Sequence, residues 1–443
     1  MTTNMQVMQT SIFLKYRPLH VFLQHHAPNV ANELQRAYIG AARTYYETGF
    51  RRYSRSLGYV KTRTIEKAED IVSAATAGTS AGVEADVDRL SHSQIDGPGP
   101  TMLYMAEDKS HVSSIALSFS KLLTHSAKKE PVEALFRSLM LVLMDNATAE
   151  YTYVTAFYSN EPQPLPVSQS QRDHASGMGS PTGLLSPTMG DFDDIRSNPG
   201  SDFGPSSPRR RNISMQSASA TPSQLPTPKE EVNVPVIWKQ VLDPVLEYCK
   251  AFVNTILESS PPVIPLLTMI RLTEDIMAEI KKRECSPLES FIFTMRMQMW
   301  PIFQKAMQEN VEAVKRYAEG TSSGYFRAKI VTTDGVVSSI CSRYIVMFNS
   351  FVALTNTPDE TMIFSNLLRL RQEIAKLIAT HTEKIPEAIA KATAQSKLYD
   401  TILQGLSKGP SPASHPKAQG EIAFWREREE EARRRVVSTR RQR

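Results

Sequence analysis

Residues 38–57 read YIGAARTYYETGFRRYSRSL. Within this stretch Tyr38, Ile39, Tyr45, Tyr46, Phe50, Tyr53 and Leu57 recur at intervals of three to four residues, the spacing that gathers apolar side chains on one face of an α-helix. Downstream, Ile237, Val241, Val245, Cys249, Phe252, Val253 and Ile256 repeat the pattern, and Asp243-Pro244 inside it predicts a kink or a later helix start. Two further helix starts are signalled by local chemistry. Ser286-Pro287-Leu288-Glu289 and Thr357-Pro358-Asp359-Glu360 each offer a capping hydroxyl, a Pro pre-set for the first turn and a Glu able to reach back to the cap. From them run Phe291, Ile292, Met295, Met299, Phe303 and Met307, and Ile363, Leu367, Leu370, Ile374 and Leu377. Gly405, followed by Pro410, reads as the end of the last packed helix. Lys329 to Val337 is the one weak strand candidate, so the expected fold class is all-α: long helices joined by short loops.

A chain of 443 residues is long enough for two or three domains, each burying its own core. Of its 28 Pro, 11 fall between Ser159 and Asn233 together with 14 Ser and few large apolar residues. Such a segment cannot bury enough surface to offset its ordering entropy and is expected to be a disordered linker. The expected organisation is therefore a helical bundle over 1–158 with a loop near 74–100, a linker over 159–233, a second bundle over 234–408, and a Pro-rich spacer with an Arg/Glu-rich tail over 409–443.

The motifs of several chemistries are absent. There is no Gly-framed phosphate loop before Lys-Ser or Lys-Thr, and the Gly-x-Gly pairs at Gly97 and Gly177 lie in Pro/Ser-rich sequence. There is neither a Gly-x-Ser-x-Gly elbow nor a His-Glu-x-x-His pair. His25-His26 is the only adjacent His pair, and neighbouring helical positions face different ways, so a shared metal is not expected. Cys249, Cys285 and Cys341 are isolated, which argues against a disulfide framework and for a reducing compartment. The longest apolar run, Leu139 to Met144, is six residues, against the roughly 18 a membrane span needs. Met1 to Leu14 lacks the basic flank and apolar block of a secretory signal. These readings point to a protein that binds and neither holds a cofactor nor catalyses.

Three features could carry binding. Between Arg43 and Arg63 lie Arg43, Arg51, Arg52, Arg55, Lys61 and Arg63 against the single acid Glu47. Arg51, Arg52 and Arg55 are candidates for contact with an anionic surface. The interleaved tyrosines sit on the apolar stripe, which favours a packed helix whose arginines merely cover its outside. The tail supplies a second candidate in Arg433, Arg434 and Arg435, weighed against a frayed, solvated helix end. In the linker, Ser186, Ser207, Thr221 and Thr227 precede Pro and Ser214 follows three arginines, a pattern of accessible phosphorylation sites. Asn146 and Asn212 match the glycosylation acceptor and are discounted without a secretory signal. The formal charge is +5, but Arg433 to Arg443 hold six Arg and no acid, so the other 432 residues sum to −1. That balance gives no global pull toward nucleic acid.

Three segments together carry a resemblance: Lys15-Tyr16-Arg17-Pro18-Leu19-His20-Val21-Phe22-Leu23 leading to Tyr38–Leu57; Pro131-Val132-Glu133-Ala134-Leu135-Phe136-Arg137-Ser138 through Leu143-Met144-Asp145-Asn146 to Glu150-Tyr151; and Trp300-Pro301-Ile302-Phe303 with Asn310-Val311, followed by Phe348 to Pro358. In this order they resemble the vacuolar protein sorting-associated protein 52 family, subunits of the Golgi-associated retrograde protein (GARP) tethering complex. The similarity spans most of 11–158 and 236–405. It implies elongated, stacked helical bundles in a non-catalytic subunit that tethers endosome-derived vesicles at the trans-Golgi network. It also implies assembly with the other vacuolar protein sorting subunits, action with SNAREs and a Rab GTPase, and a peripheral place on Golgi and endosomal membranes. A helical-rod subunit of another tether such as the exocyst is the alternative within this class; a nucleic-acid binder using the Arg-rich tail is the alternative outside it. The family's heptad-rich N-terminal region is not found ahead of the resemblance, and its further helices after Gly405 are replaced by the spacer and charged tail. The expectation is that 443 residues are less than the whole working subunit.

Overall fold

A computed structural model describes residues 5–63, 71–72, 90–96, 131–159, 233–320, 332–355, 360–409 and 415–441. Among the described residues there is no strand, and the α-helices are α1 (Met5–Ser11), α2 (Arg17–His26), α3 (Pro28–Arg63), α4 (Val132–Tyr158), α5 (Val234–Glu258), α6 (Val263–Lys282), α7 (Ser286–Glu319), α8 (Asp334–Ala353), α9 (Thr361–Thr382), α10 (Ala388–Ser407) and α11 (Pro416–Arg441). Of the linker expected over 159–233, residues 160–232 lie outside the described residues, as do most of 74–100 and the cap expected at Thr357.

Helix α3 forms as its periodicity dictates. Ala42, Tyr46, Phe50, Tyr53 and Leu57 are buried in the core. Its neighbour α4 is buried along most of its length, from Val132 to Tyr158, with the polar side chains of Glu133, Arg137, Asn146 and Glu150 buried among the apolar ones. It packs against α3, α5 and α6. Trp238 of α5 is fully buried and donates its indole N–H to the Ala147 carbonyl at 2.8 Å. Helices from the two sides of the 159–233 segment therefore share one core, and residues 1–159 and 233–443 form one compact unit. The boundary expected between two bundles separates stretches of sequence that pack together.

Pro244 does not delay α5, which begins at Val234 and continues through it. The cap expected at Ser286 is displaced by one residue. Helix α6 closes with Glu284 in the left-handed region (φ 57°), Glu284 N–H bonding to the Lys281 carbonyl and Cys285 N–H to that of Ile280. This paired reverse closure packs buried Cys285 near Ile280 and makes Cys285 the residue ahead of α7, so Ser286 is already helical.

Helix α8 is long and apolar enough by composition to cross a membrane, although no apolar run in the sequence approaches that length. Here Val337, Ile340, Cys341, Tyr344, Ile345 and Phe351 are instead part of the core, with the Phe351 ring 5.9 Å from that of Phe303 on α7. The expected stop at Gly405 is also corrected. Gly405 lies inside α10, where a Cβ would sit 2.7 Å from Ile345, so its missing side chain sets how closely α10 approaches α8. A further packed helix, α11, follows where a spacer and frayed tail were expected, and Trp425 is its fully buried anchor.

Candidate interaction surfaces

The polar groups inside this core act as fasteners. On α4, Glu150 is fully buried; its Oε1 accepts from the Tyr38 hydroxyl (2.7 Å) and its Oε2 from Gln9 Nε2 (2.6 Å) and the Tyr46 hydroxyl (3.1 Å). One carboxylate thus joins α1 and α3 to α4. Burial pushes its pKa up, and the three donors oppose that rise. Around it Tyr38, Tyr153, Phe157 and Tyr158 pack ring to ring with Phe13 and His20.

A second fastener holds α11. Glu421 accepts from the Tyr344 hydroxyl of α8, from Trp425 Nε1 (2.6 Å) and from Arg371 Nη1 of α9 (3.0 Å). The Arg371 guanidinium lies 4.0 Å from the Phe424 ring centroid, so one side chain both neutralises the carboxylate and covers an aromatic face. Arg283 plays a similar part between α6 and α4, reaching Asp145 at 2.5 Å and Thr148 Oγ1 at 3.1 Å.

These groups fix helix register. Neither glutamate has a nucleophile to activate beside it; each accepts from tyrosine, amide, indole or guanidinium donors that hold it in place. No cluster of three His, Cys, Asp or Glu suited to a metal occurs among the described residues. The cysteines are buried, and burial pushes the Cys285 and Cys341 thiols up to about 12, far from a reactive thiolate. The expected cationic candidates lie on the outside.

The two expected cationic regions differ there. On α3 Arg52 and Arg55 are exposed and Arg51 is half-buried, while Tyr46 and Tyr53 are buried as the packed reading requires and Tyr59 is exposed. On α11 Arg433, Arg434 and Arg435 are exposed but each pairs with the glutamate four residues earlier, Glu429, Glu430 and Glu431. Ser186, Ser207, Ser214, Thr221 and Thr227 lie outside the described residues, as does Asn212. Asn146 is buried and donates to the Val142 carbonyl at 2.7 Å, which leaves no room for a glycan.

The sequence reading missed an apolar outer surface near the N-terminus. Tyr16, Leu19, Phe22, Val30 and Leu34 are all exposed, Leu19 and Phe22 at 55% each. A signal in the charges could have drawn attention to this region. Residues 1–63 hold nine basic residues against two acidic, whereas 64–432 hold 36 basic against 44 acidic. The near-neutral body is a strongly basic N-terminal part set against an acidic remainder.

Comparison with known proteins agrees with the helical architecture. The sequence model of the family described as Vps52, C-terminal matches residues 40–164 and 229–418. Vacuolar protein sorting-associated protein 52 A of Arabidopsis thaliana is 30% identical over 159 residues, 36% of this chain and 22% of the relative. Protein 52 B of the same organism is 27% identical over 159 residues, with the same coverage. The chain thus matches about a fifth of the length of these curated relatives. No solved structure matches it. The family model spans both sides of the 160–232 segment and most of the helices that build the shared core, and the chain belongs to the Vps52 family.

Proposed function

We propose that the chain serves as a non-catalytic subunit of a vesicle-tethering complex of the Golgi-associated retrograde protein type, in transport from endosomes to the trans-Golgi network. Family membership over most of the packed helices is the observation that carries this reading. The partners are the other vacuolar protein sorting subunits of that complex, with SNAREs and a Rab GTPase, and the chain sits peripherally on trans-Golgi network and endosomal membranes. A tether works by holding position, and the buried Glu150 and Glu421 networks support such a role: each locks the register of several helices with directional bonds. Phosphorylation at Ser186, Ser207, Ser214, Thr221 or Thr227 would add charge to the segment between the two family-matched stretches.

Affinity purification of the tagged chain from cells tests the proposal. Recovery of the other complex subunits, with punctate staining beside a trans-Golgi marker, is the expected result. Failure of both the chain and the complete open reading frame to recover those subunits would overturn it.

A further inference from the structure

The outer face of the N-terminal hairpin combines two properties. The first is apolar exposure. Leu19 and Phe22 on α2, with Tyr16 just before it, and Val30 and Leu34 on α3 all face away from the core. The second is a cationic excess: nine basic residues against two acidic in 1–63. Among the described residues, Arg36, Arg43, Arg51, Arg52 and Arg55 form no ion pair, in contrast to the paired arginines of α11.

Helical geometry lines up four of these groups on α3. At about 100° per residue, Val30, Leu34, Arg52 and Arg55 fall within roughly 60° of arc on the side of α3 opposite buried Ala42, Tyr46, Tyr53 and Leu57. Along the axis they extend roughly 38 Å, apolar at the N-terminal end and cationic at the other. A helix lying flat on a bilayer needs this composition: aliphatic side chains that enter the acyl boundary and arginines that meet anionic head groups.

We infer that this outer face of α2 and α3 is a docking surface for an anionic lipid bilayer, with Leu19, Phe22, Val30 and Leu34 entering the interface and Arg52 and Arg55 held by lipid phosphate and carboxylate groups. A nucleic acid fits the face less well. Single strands need several exposed rings for stacking beside the cations, but Tyr46 and Tyr53 are buried, Tyr59 is the one exposed ring beside Arg52 and Arg55, and exposed Tyr16 and Phe22 lie with the aliphatic end. The inference sharpens the peripheral membrane placement proposed above by naming the face. Lipid binding by the isolated chain and recovery of sister subunits can fail independently, so the two proposals are separable.

The test is flotation of the purified 443-residue chain with vesicles of phosphatidylcholine alone or phosphatidylcholine with phosphatidylserine. The chain should float with the anionic vesicles and release as salt is raised. At about 1 kcal/mol per basic residue near the surface, Arg52→Ala with Arg55→Ala should weaken binding about 25-fold. Leu19→Ser with Phe22→Ser should weaken it about 10-fold or more, since both side chains leave the acyl boundary. Arg434→Ala with Arg435→Ala on α11 should change it less than about two-fold, and circular dichroism should show every variant as helical as the parent. Equal binding to neutral vesicles, parental binding by either hairpin variant, or an equal loss in the α11 variant would overturn the proposal. So would a polynucleotide that displaces the vesicles and binds undiminished to the Leu19→Ser, Phe22→Ser variant.

Discussion

Helices α3 and α11 are both rich in arginine, and each is fastened to the core through one buried glutamate. They use that chemistry in opposite ways. Helix α3 brings tyrosines to a glutamate carried by α4, and its outward arginines have no ion-pair partner among the described residues. Helix α11 carries its own buried glutamate to Tyr344 and Arg371, and its outward Arg433, Arg434 and Arg435 are each matched with the glutamate four residues earlier, Glu429, Glu430 and Glu431. Local composition does not separate the two helices. Pairing at i,i+4 does, because it decides whether a cation is spent within its own helix or remains to meet something else.

The largest effect expected in breaking this comparison is on α11. Trp425→Ala removes a fully buried ring against Tyr344 and Tyr399 and should cost about 3–5 kcal/mol, with hydrogen exchange accelerating in α11 before the rest of the molecule. Next comes the close approach beneath it. Gly405→Ala places a methyl group against Ile345 and should cost about 1–3 kcal/mol in denaturant unfolding.

The Glu150 fastener of α3 makes a pH prediction. Burial raises its pKa in the folded state, so folding favours the protonated acid. Its contribution is fully present below the unfolded-state value and falls as pH rises through the folded value. Glu150→Gln cannot titrate, so thermal melts from about pH 4 upward should show the variant gaining on the parent as pH increases. A variant trailing by a constant amount would contradict this. A smaller, stabilising effect is expected at the α6–α7 turn. Glu284→Gly relieves a left-handed non-glycine residue and should raise stability by about 1 kcal/mol, read as a higher melting temperature. The smallest is Arg434→Ala, whose exposed pair with Glu430 is worth about 0.3–0.5 kcal/mol.

Much of α3 was legible in the sequence because large apolar side chains occupy its buried positions; Tyr46, Phe50, Tyr53 and Leu57 announce the face by themselves. Helix α11 was not legible by the same means. Its buried positions are Ala418, Glu421, Trp425, Glu429 and Ala432, correctly spaced for a helix face but mostly small or charged. A carboxylate is a core residue only when Tyr344 and Arg371 arrive from distant sequence to meet it, and no local pattern records that. Ser286 shows a different limit, since its expected capping role was displaced by the closure of the preceding helix. The hairpin surface was hidden for the converse reason: no local pattern marks Leu19, Phe22 and Leu34 as the apolar residues that tertiary packing leaves outside. The arginines of α3 and α11 were both visible as candidates, and only the ion pairs told them apart.

The contrast between the helices can be read in one measurement. The native cysteines are all buried, so an environment-sensitive fluorophore will label a single engineered cysteine at either of two exposed apolar positions, Leu34→Cys on α3 or Val437→Cys on α11. Addition of phosphatidylserine-containing vesicles should shift the probe at position 34 to the blue and leave that at 437 unchanged. An equal response at both positions, or a response at 437 alone, would contradict the assignment of α3 as the outward-acting helix and α11 as the self-paired one.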